Sequence, residues 1–204
     1  MRSMKFLRAA AFLLLASGSA ALAQNQAPQQ RKPMSPTTMK TFSGWDVRCY
    51  PVQSPAPCDM WEAIAFKQGG QLAVSVSIVY VPSRDAHLLQ FVVPLGIDLQ
   101  KGAKGMVGGY TSDTWKFHHC DRIGCYIIVQ DGDAIVNAMR GADQLKVQVT
   151  QFHGKSADLT VPLKGFGEAH AALVEFAKQK ATSGAAAPAP AAPAPADATA
   201  PANP

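Results

Sequence analysis

The sequence predicts a mostly β protein, an antiparallel β-sandwich or barrel-like single domain with one short helix and a C-terminal helix. Three observations carry this expectation. Leu72, Val74, Val76, Ile78 and Tyr80 share one face of a run while Ser75 and Ser77 take the other, the period of two that marks a half-buried strand. Leu145, Val147 and Val149 alternate with Lys146, Gln148 and Thr150 in the same way. Further short runs of strand formers are separated by turn residues, as in all-β domains.

In chain order, strands are expected over Trp45–Tyr50, Met60–Lys67, Leu72–Val81, Leu89–Pro94, Gly105–Tyr110, Trp115–Cys120 and Tyr126–Gln130. The alternating runs at Leu145–Thr150 and Leu159–Leu163 follow. Gly69-Gly70 supplies a turn joining the second and third of these into a hairpin, and His153-Gly154-Lys155-Ser156 joins the last two. Pro94 ends its strand because it has no N–H for an inner ladder. Asp133 is placed to N-cap a helix over Ala134–Arg140 that Gly141 closes at C′. A better helix spans Phe166–Lys178, with Phe166, Ala169, His170, Leu173, Val174 and Ala177 along one face.

The chain has 204 residues, 48% hydrophobic and 16% charged, with a formal charge of +5. That hydrophobic fraction excludes disorder of the whole chain. Residues 1–23 read as a secretory signal peptide: Arg2, Lys5 and Arg8 precede an apolar run too short for a good span, and Ala21-Leu22-Ala23 forms an A-x-A cleavage signal. Residues 24–40, rich in Gln and Pro, read as a disordered leader, 41–180 as the β domain, and 181–204 as an Ala/Pro-rich disordered tail. Cleavage removes three positive charges, and residues 41–178 hold 12 Lys and Arg against 13 Asp and Glu. The folded part is therefore nearly neutral, without a basic cluster for nucleic acid. Contact with anionic lipid or polysaccharide would run through Arg31, Lys32 and Lys40 and weaken with salt. No segment after the signal is apolar for long enough to form a transmembrane helix.

An even number of cysteines in an exported chain predicts disulfides. The spacings Cys49-x8-Cys58 and Cys120-x4-Cys125 favour local pairs, with Asp121-Arg122-Ile123-Gly124 suited to a hairpin loop. Sequence alone leaves cross-pairings such as Cys49–Cys125 open.

The strings GWDVRC at 44–49, VPLGIDLQKG at 93–102, HCDRIGCY at 119–126 and VPLKGFGEAHAALVEF at 161–176 occur in this order, with Cys58 following the first. Together they resemble the invasion-associated locus B family of alphaproteobacterial envelope proteins, over about residues 42–178. The resemblance implies a mostly β domain in the periplasm or outer cell envelope, or secreted, without established catalytic residues. In the family, some pathogen members are linked to host-cell entry. The signal peptide, the locally spaced cysteines, the strand alternation and the lack of a catalytic constellation point to a non-enzymatic protein that acts by binding an unidentified protein or envelope component, with a structural envelope function as the alternative and a metal-binding protein or enzyme as the rival.

Trp45 reads as a core anchor near a disulfide, and Phe166 as part of the junction where the final helix begins. Neither cysteine spacing is the Cys-x-x-Cys of a thiol oxidoreductase. Zinc on His118, Cys120 and Cys125 is conceivable, but disulfide formation competes, and strand geometry sends His118 and His119 to opposite faces unless a bulge intervenes. His87, His153 and His170 read as isolated surface or boundary residues. No nucleophile elbow, phosphate loop or complete calcium loop occurs, and Asp131-Gly132-Asp133 reads as a turn plus helix cap. No cofactor and no catalytic residue is expected.

Overall fold

The computed structural model describes residues 35–185; the signal segment, most of the leader and the tail from residue 186 lie outside them. The strands are β1 (Thr37–Phe42), β2 (Trp45–Cys49), β3 (Cys58–Ala65), β4 (Leu72–Val81), β5 (Ala86–Val93), β6 (Ala103–Val107), β7 (Tyr110–Thr111), β8 (Phe117–Cys120), β9 (Cys125–Val129), β10 (Gln144–Thr150) and β11 (Ser156–Pro162). The helices are α1 (Asp133–Met139) and α2 (Phe166–Ala185). Seven strands form one sheet in the order β1-β2-β3-β4-β5-β9-β8, and four form a second in the order β11-β10-β6-β7. Every pairing is antiparallel and neither sheet closes on itself, so the architecture is a sandwich and not a barrel.

The alternation read from the sequence sets which side chains are buried. Val74, Val76, Ile78 and Tyr80 of β4 face the core with Trp45, Val47 and Met60 on one side and Leu89, Phe91 and Ile127 on the other. The second sheet contributes Leu145, Val147, Val149, Leu159 and Val161 to the same core. Helix α2 lays Phe166, Ala169, Leu173 and Ala177 over the β1–β4 half, whereas α1 packs Ile135 and Val136 between β5 and β6. Apolar area from both sheets and both helices thus merges into one core.

Four expectations need correction. Leader residues 37–40 are not disordered: they begin β1, whose backbone pairs with β2 from Thr37↔Cys49 to Phe42↔Trp45, so edge pairing orders a segment lacking an apolar pattern. Tail residues 181–185 continue α2, since no proline falls among them. The run expected as one strand over Gly105–Tyr110 is broken by a turn at Gly108, where φ is +56°, separating β6 from β7. Gly132, not Asp133, is the N-cap of α1; glycine has no side chain to cap with, and Asp133, the first helical residue, turns its carboxylate to His87.

Candidate functional site

Cys49 and Cys58 face each other on β2 and β3, and Cys120 and Cys125 on β8 and β9. Both pairs form disulfides, with Cα separations of 4.1 and 4.0 Å, and the cross-pairing Cys49–Cys125 is not made. The bridges are local because antiparallel register has already placed each pair directly opposite. Trp45, fully buried on β2, meets Phe166 of α2 edge-to-face at 5.2 Å between ring centroids.

On the outer face of the larger sheet, a concavity of about 470 Å³ lies between the two bridges. Arg48 and Tyr50 flank Cys49 and Asp59 follows Cys58 on one side; Ile123 and Tyr126 belong to the Cys120–Cys125 hairpin on the other. Arg48 donates from Nε and Nη2 to the two Asp59 oxygens at 3.0 and 2.5 Å, and the Ser77 hydroxyl donates to Oδ2 at 2.7 Å. The guanidinium also lies 4.7 Å from the Trp61 ring centroid. Asp59 is buried, yet its charge is matched and its lone pairs are used. Burial first, then the Asp59 charge, raises the Tyr50 phenol above its ordinary range. Ser75 and Gln90 add a hydroxyl and an amide to the lining. This set offers hydrogen bonds beside aromatic faces, and its one hydroxyl-to-carboxylate contact, Ser77 to Asp59, goes to a carboxylate already bound by Arg48.

A second polar group sits beneath the helices. His87 on β5 and Asp133 on α1 bond twice: the His87 backbone N–H donates to Asp133 Oδ1 at 2.9 Å, and Nδ1 meets the same oxygen at 2.6 Å. His87 Nε2 lies 2.8 Å from His170 Nε2 of α2, and Arg140 Nη2 lies 3.3 Å from that His170 nitrogen. Both histidines are buried, so the reading of them as isolated surface or boundary residues is wrong. Burial, reinforced by the positive charge of Arg140 and by His87, lowers His170 to about 4. The four residues are spread over more than 80 positions of sequence, and only the fold assembles them.

Glu62 projects from β3 into the apolar interior, on the face of Met60. Its Oε2 and the Trp45 Nε1 are buried without a hydrogen-bond partner among the described residues. Burial raises this carboxyl to about 7. A charged residue in the apolar phase of a strand was the legible signal for it.

The candidate zinc site on His118, Cys120 and Cys125 fails chemically, because the disulfide consumes both thiolates. His118 and His119 nonetheless do not point apart. The β8–β9 register slips between Phe117 and His119, and this bulge brings the two Nδ1 atoms to 2.8 Å. His119 also stacks on Tyr126 at 4.3 Å. Arg31 and Lys32 lie outside the described residues; Lys40 stands exposed on β1 with its ammonium 4.8 Å from the Phe42 ring centroid.

Two antiparallel sheets, two helices and four cysteines all joined in hairpin disulfides define a β-sandwich protein of the kind stabilised in oxidising compartments. The chain belongs to the invasion associated locus B (IalB) protein family, which it matches over residues 45–174. Invasion protein B homologs from two strains of Brucella abortus are 26% identical to it over 136 residues, covering 65% of this chain and 77% of theirs. The crystal structure of invasion associated protein b from Bartonella henselae shares the fold at a TM-score of 0.60 and 22% identity, covering 68% of this chain and 97% of that one. Among the described residues, no helix is long and apolar enough to cross a membrane.

Proposed function

We propose that this chain is exported through the signal sequence of residues 1–23 and works in the periplasm or outer envelope as a non-enzymatic protein that binds a partner. The observation that carries this reading is the pairing of all four cysteines inside an IalB-family sandwich. Such bridges persist in oxidising compartments and not in a reducing cytosol. Neither the family description nor the names of the relatives carry an enzymatic activity, and those names speak of invasion. Host-cell entry is accordingly the first partner class to test. A structural role on cell-wall or outer-membrane components, with the Ala/Pro tail as spacer, is the second. Arg31, Lys32 and Lys40 supply a salt-sensitive attraction to anionic envelope material.

Intact-mass measurement of protein recovered from the periplasm, with and without reduction and alkylation, tests the first half of the proposal. Two bridges and a chain beginning at Gln24 are expected; four free thiols refute it. Crosslinking in intact cells, comparing the full-length chain with one ending at Lys180, tests the second half and separates a host partner from an envelope one.

A further inference from the structure

The sandwich is apolar at one end. Among the described residues seven large hydrophobic side chains are exposed, and five of them, Phe66, Leu95, Leu99, Ile123 and Phe152, lie on four loops. The strand registers bring these loops to the same end. Ala65, the last residue of β3, pairs with Leu72 at the start of β4; Ser75 of β4 pairs with Val92; and Val93 at the end of β5 pairs with Cys125 at the start of β9. The β10–β11 hairpin is tied to the loop after β5 by an Ile97↔Gln151 bridge and by Phe152 N–H donating to the Gly96 carbonyl at 2.9 Å. Phe152, at that hairpin's tip, is 78% exposed, Ile123 63% and Leu95 54%. The other two exposed hydrophobics, Met39 and Val52, lie on β1 and on the Cys49–Cys58 loop.

The same four loops carry Lys67, Lys101, Arg122 and Lys155, all exposed, and no salt bridge among the described residues includes any of them. Their two acids are engaged within their own hairpin or loop, Asp98 half-buried and Asp121 exposed. Asp98 Oδ1 accepts from the Gln100 N–H at 3.0 Å, and Asp121 Oδ1 accepts from the Ile123 N–H at 2.7 Å while its Oδ2 accepts from the Tyr126 hydroxyl at 3.1 Å. Exposed apolar tips and exposed cations outside any salt bridge thus share these loops. An anionic bilayer accepts both features together: the tips enter the acyl boundary while the long basic side chains stay at the phosphates.

We propose that this loop end docks on an anionic lipid bilayer, with Phe152, Leu95, Leu99 and Ile123 entering the interface and Lys101, Arg122 and Lys155 contacting headgroups. The proposal rests on the exported, partner-binding reading and names a lipid surface as what the domain contacts, through these loops and not chiefly through the basic leader.

Co-sedimentation of the chain from Gln24 onward with phosphatidylglycerol/phosphatidylcholine vesicles, and with pure phosphatidylcholine vesicles, tests it. Binding to the anionic vesicles is expected, falling with salt, with only weak binding to the neutral ones. Leu95→Ser with Phe152→Ser, both at exposed positions and so expected to leave the unfolding midpoint unchanged, should weaken it about tenfold or more. Lys101→Glu with Lys155→Glu should do the same through charge. Two results overturn the proposal: no binding of the unmodified chain to anionic vesicles, or binding that survives both loop variants and is lost when Arg31, Lys32 and Lys40 are neutralised. A protein partner crosslinked in cells by a chain that ignores vesicles also overturns the lipid surface, while leaving the partner-binding reading intact.

Discussion

His170 of the C-terminal helix and His87 of a central strand meet Nε2 to Nε2 at 2.8 Å, although 83 residues separate them in sequence. A single proton can occupy that contact, so charging both rings sets two donors against each other in a buried site.

This geometry gives the protein an acid-sensitive contact, and Glu62 gives it an opposite one. His170 falls from an ordinary 6.5 to about 4 in the folded chain, so the unfolded chain binds the extra proton and stability is lost as pH drops below 6.5 toward 4. Glu62 rises from 4.5 to about 7, so its contribution is full below 4.5 and disappears as pH climbs through 7. Between 4.5 and 6.5 the two slopes oppose each other. Urea unfolding followed across that window should show a nearly flat profile for the unmodified chain. Glu62→Gln should expose a profile rising with pH, and should stabilise the protein at pH 8 by about 1–3 kcal/mol. A Glu62→Gln profile that superimposes on the original would show that this carboxyl is not perturbed.

Asp133 holds His87 through both a backbone and a ring contact. Asp133→Asn should cost about 1–2 kcal/mol, since it replaces a charge-assisted acceptor with a neutral one. Asp131→Asn, on the exposed turn two residues earlier, should change stability by less than about 0.5 kcal/mol. Equal effects at the two positions would count against a stabilising Asp133–His87 contact.

Gly105 on β6 lies against Trp115, whose ring stacks on Phe91 with centroids 5.1 Å apart. A methyl group at Gly105 would sit 2.2 Å from the Trp115 ring and 2.7 Å from Ile135, so Gly105→Ala should destabilise by about 2 kcal/mol or more and alter the near-ultraviolet tryptophan signal. Gly109→Ala, with nothing within 4 Å of its added carbon, should leave both readings unchanged.

Replacing Cys49 and Cys58 by Ala should cost about 2–3 kcal/mol, and replacing Cys120 and Cys125 about 2 kcal/mol, from the loop lengths each bridge closes. Far-ultraviolet circular dichroism at 25 °C should keep its β character in both variants, because the paired strands hold their register without the sulfurs. Loss of the β signal in either one would show that its bridge specifies the fold and does not merely stabilise it.

Much of the sandwich was legible because burial on one face of a strand writes itself as alternation, as in Leu72–Val81 and in the strands containing Leu145 and Leu159. Strand β1 was not: Thr37, Thr38, Met39 and Lys40 have no apolar phase, and they are ordered by backbone pairing to β2, an interaction that leaves no residue-type signature. The cysteine pairs were readable because they are local. The histidine network was hidden for the opposite reason, since its members come from β5, α1, the residue closing α1, and α2, with no spacing to connect them. Asp133 illustrates the ambiguity. A carboxylate at a helix start fits a cap equally well, and here the tertiary partner takes it. The bulge that joins His118 to His119 is a slip in pairing register, which residue type at those positions does not encode.

The order of the bridges matters beyond stability. The first cysteine joins the second and the third joins the fourth, so each bond closes within a hairpin that is complete before the next cysteine pair follows in the chain. Each cysteine's native partner is thus its nearest cysteine in the chain, and the first pair is complete before the third cysteine occurs. Oxidative refolding of the reduced chain is therefore expected to give the native pairing without an isomerase.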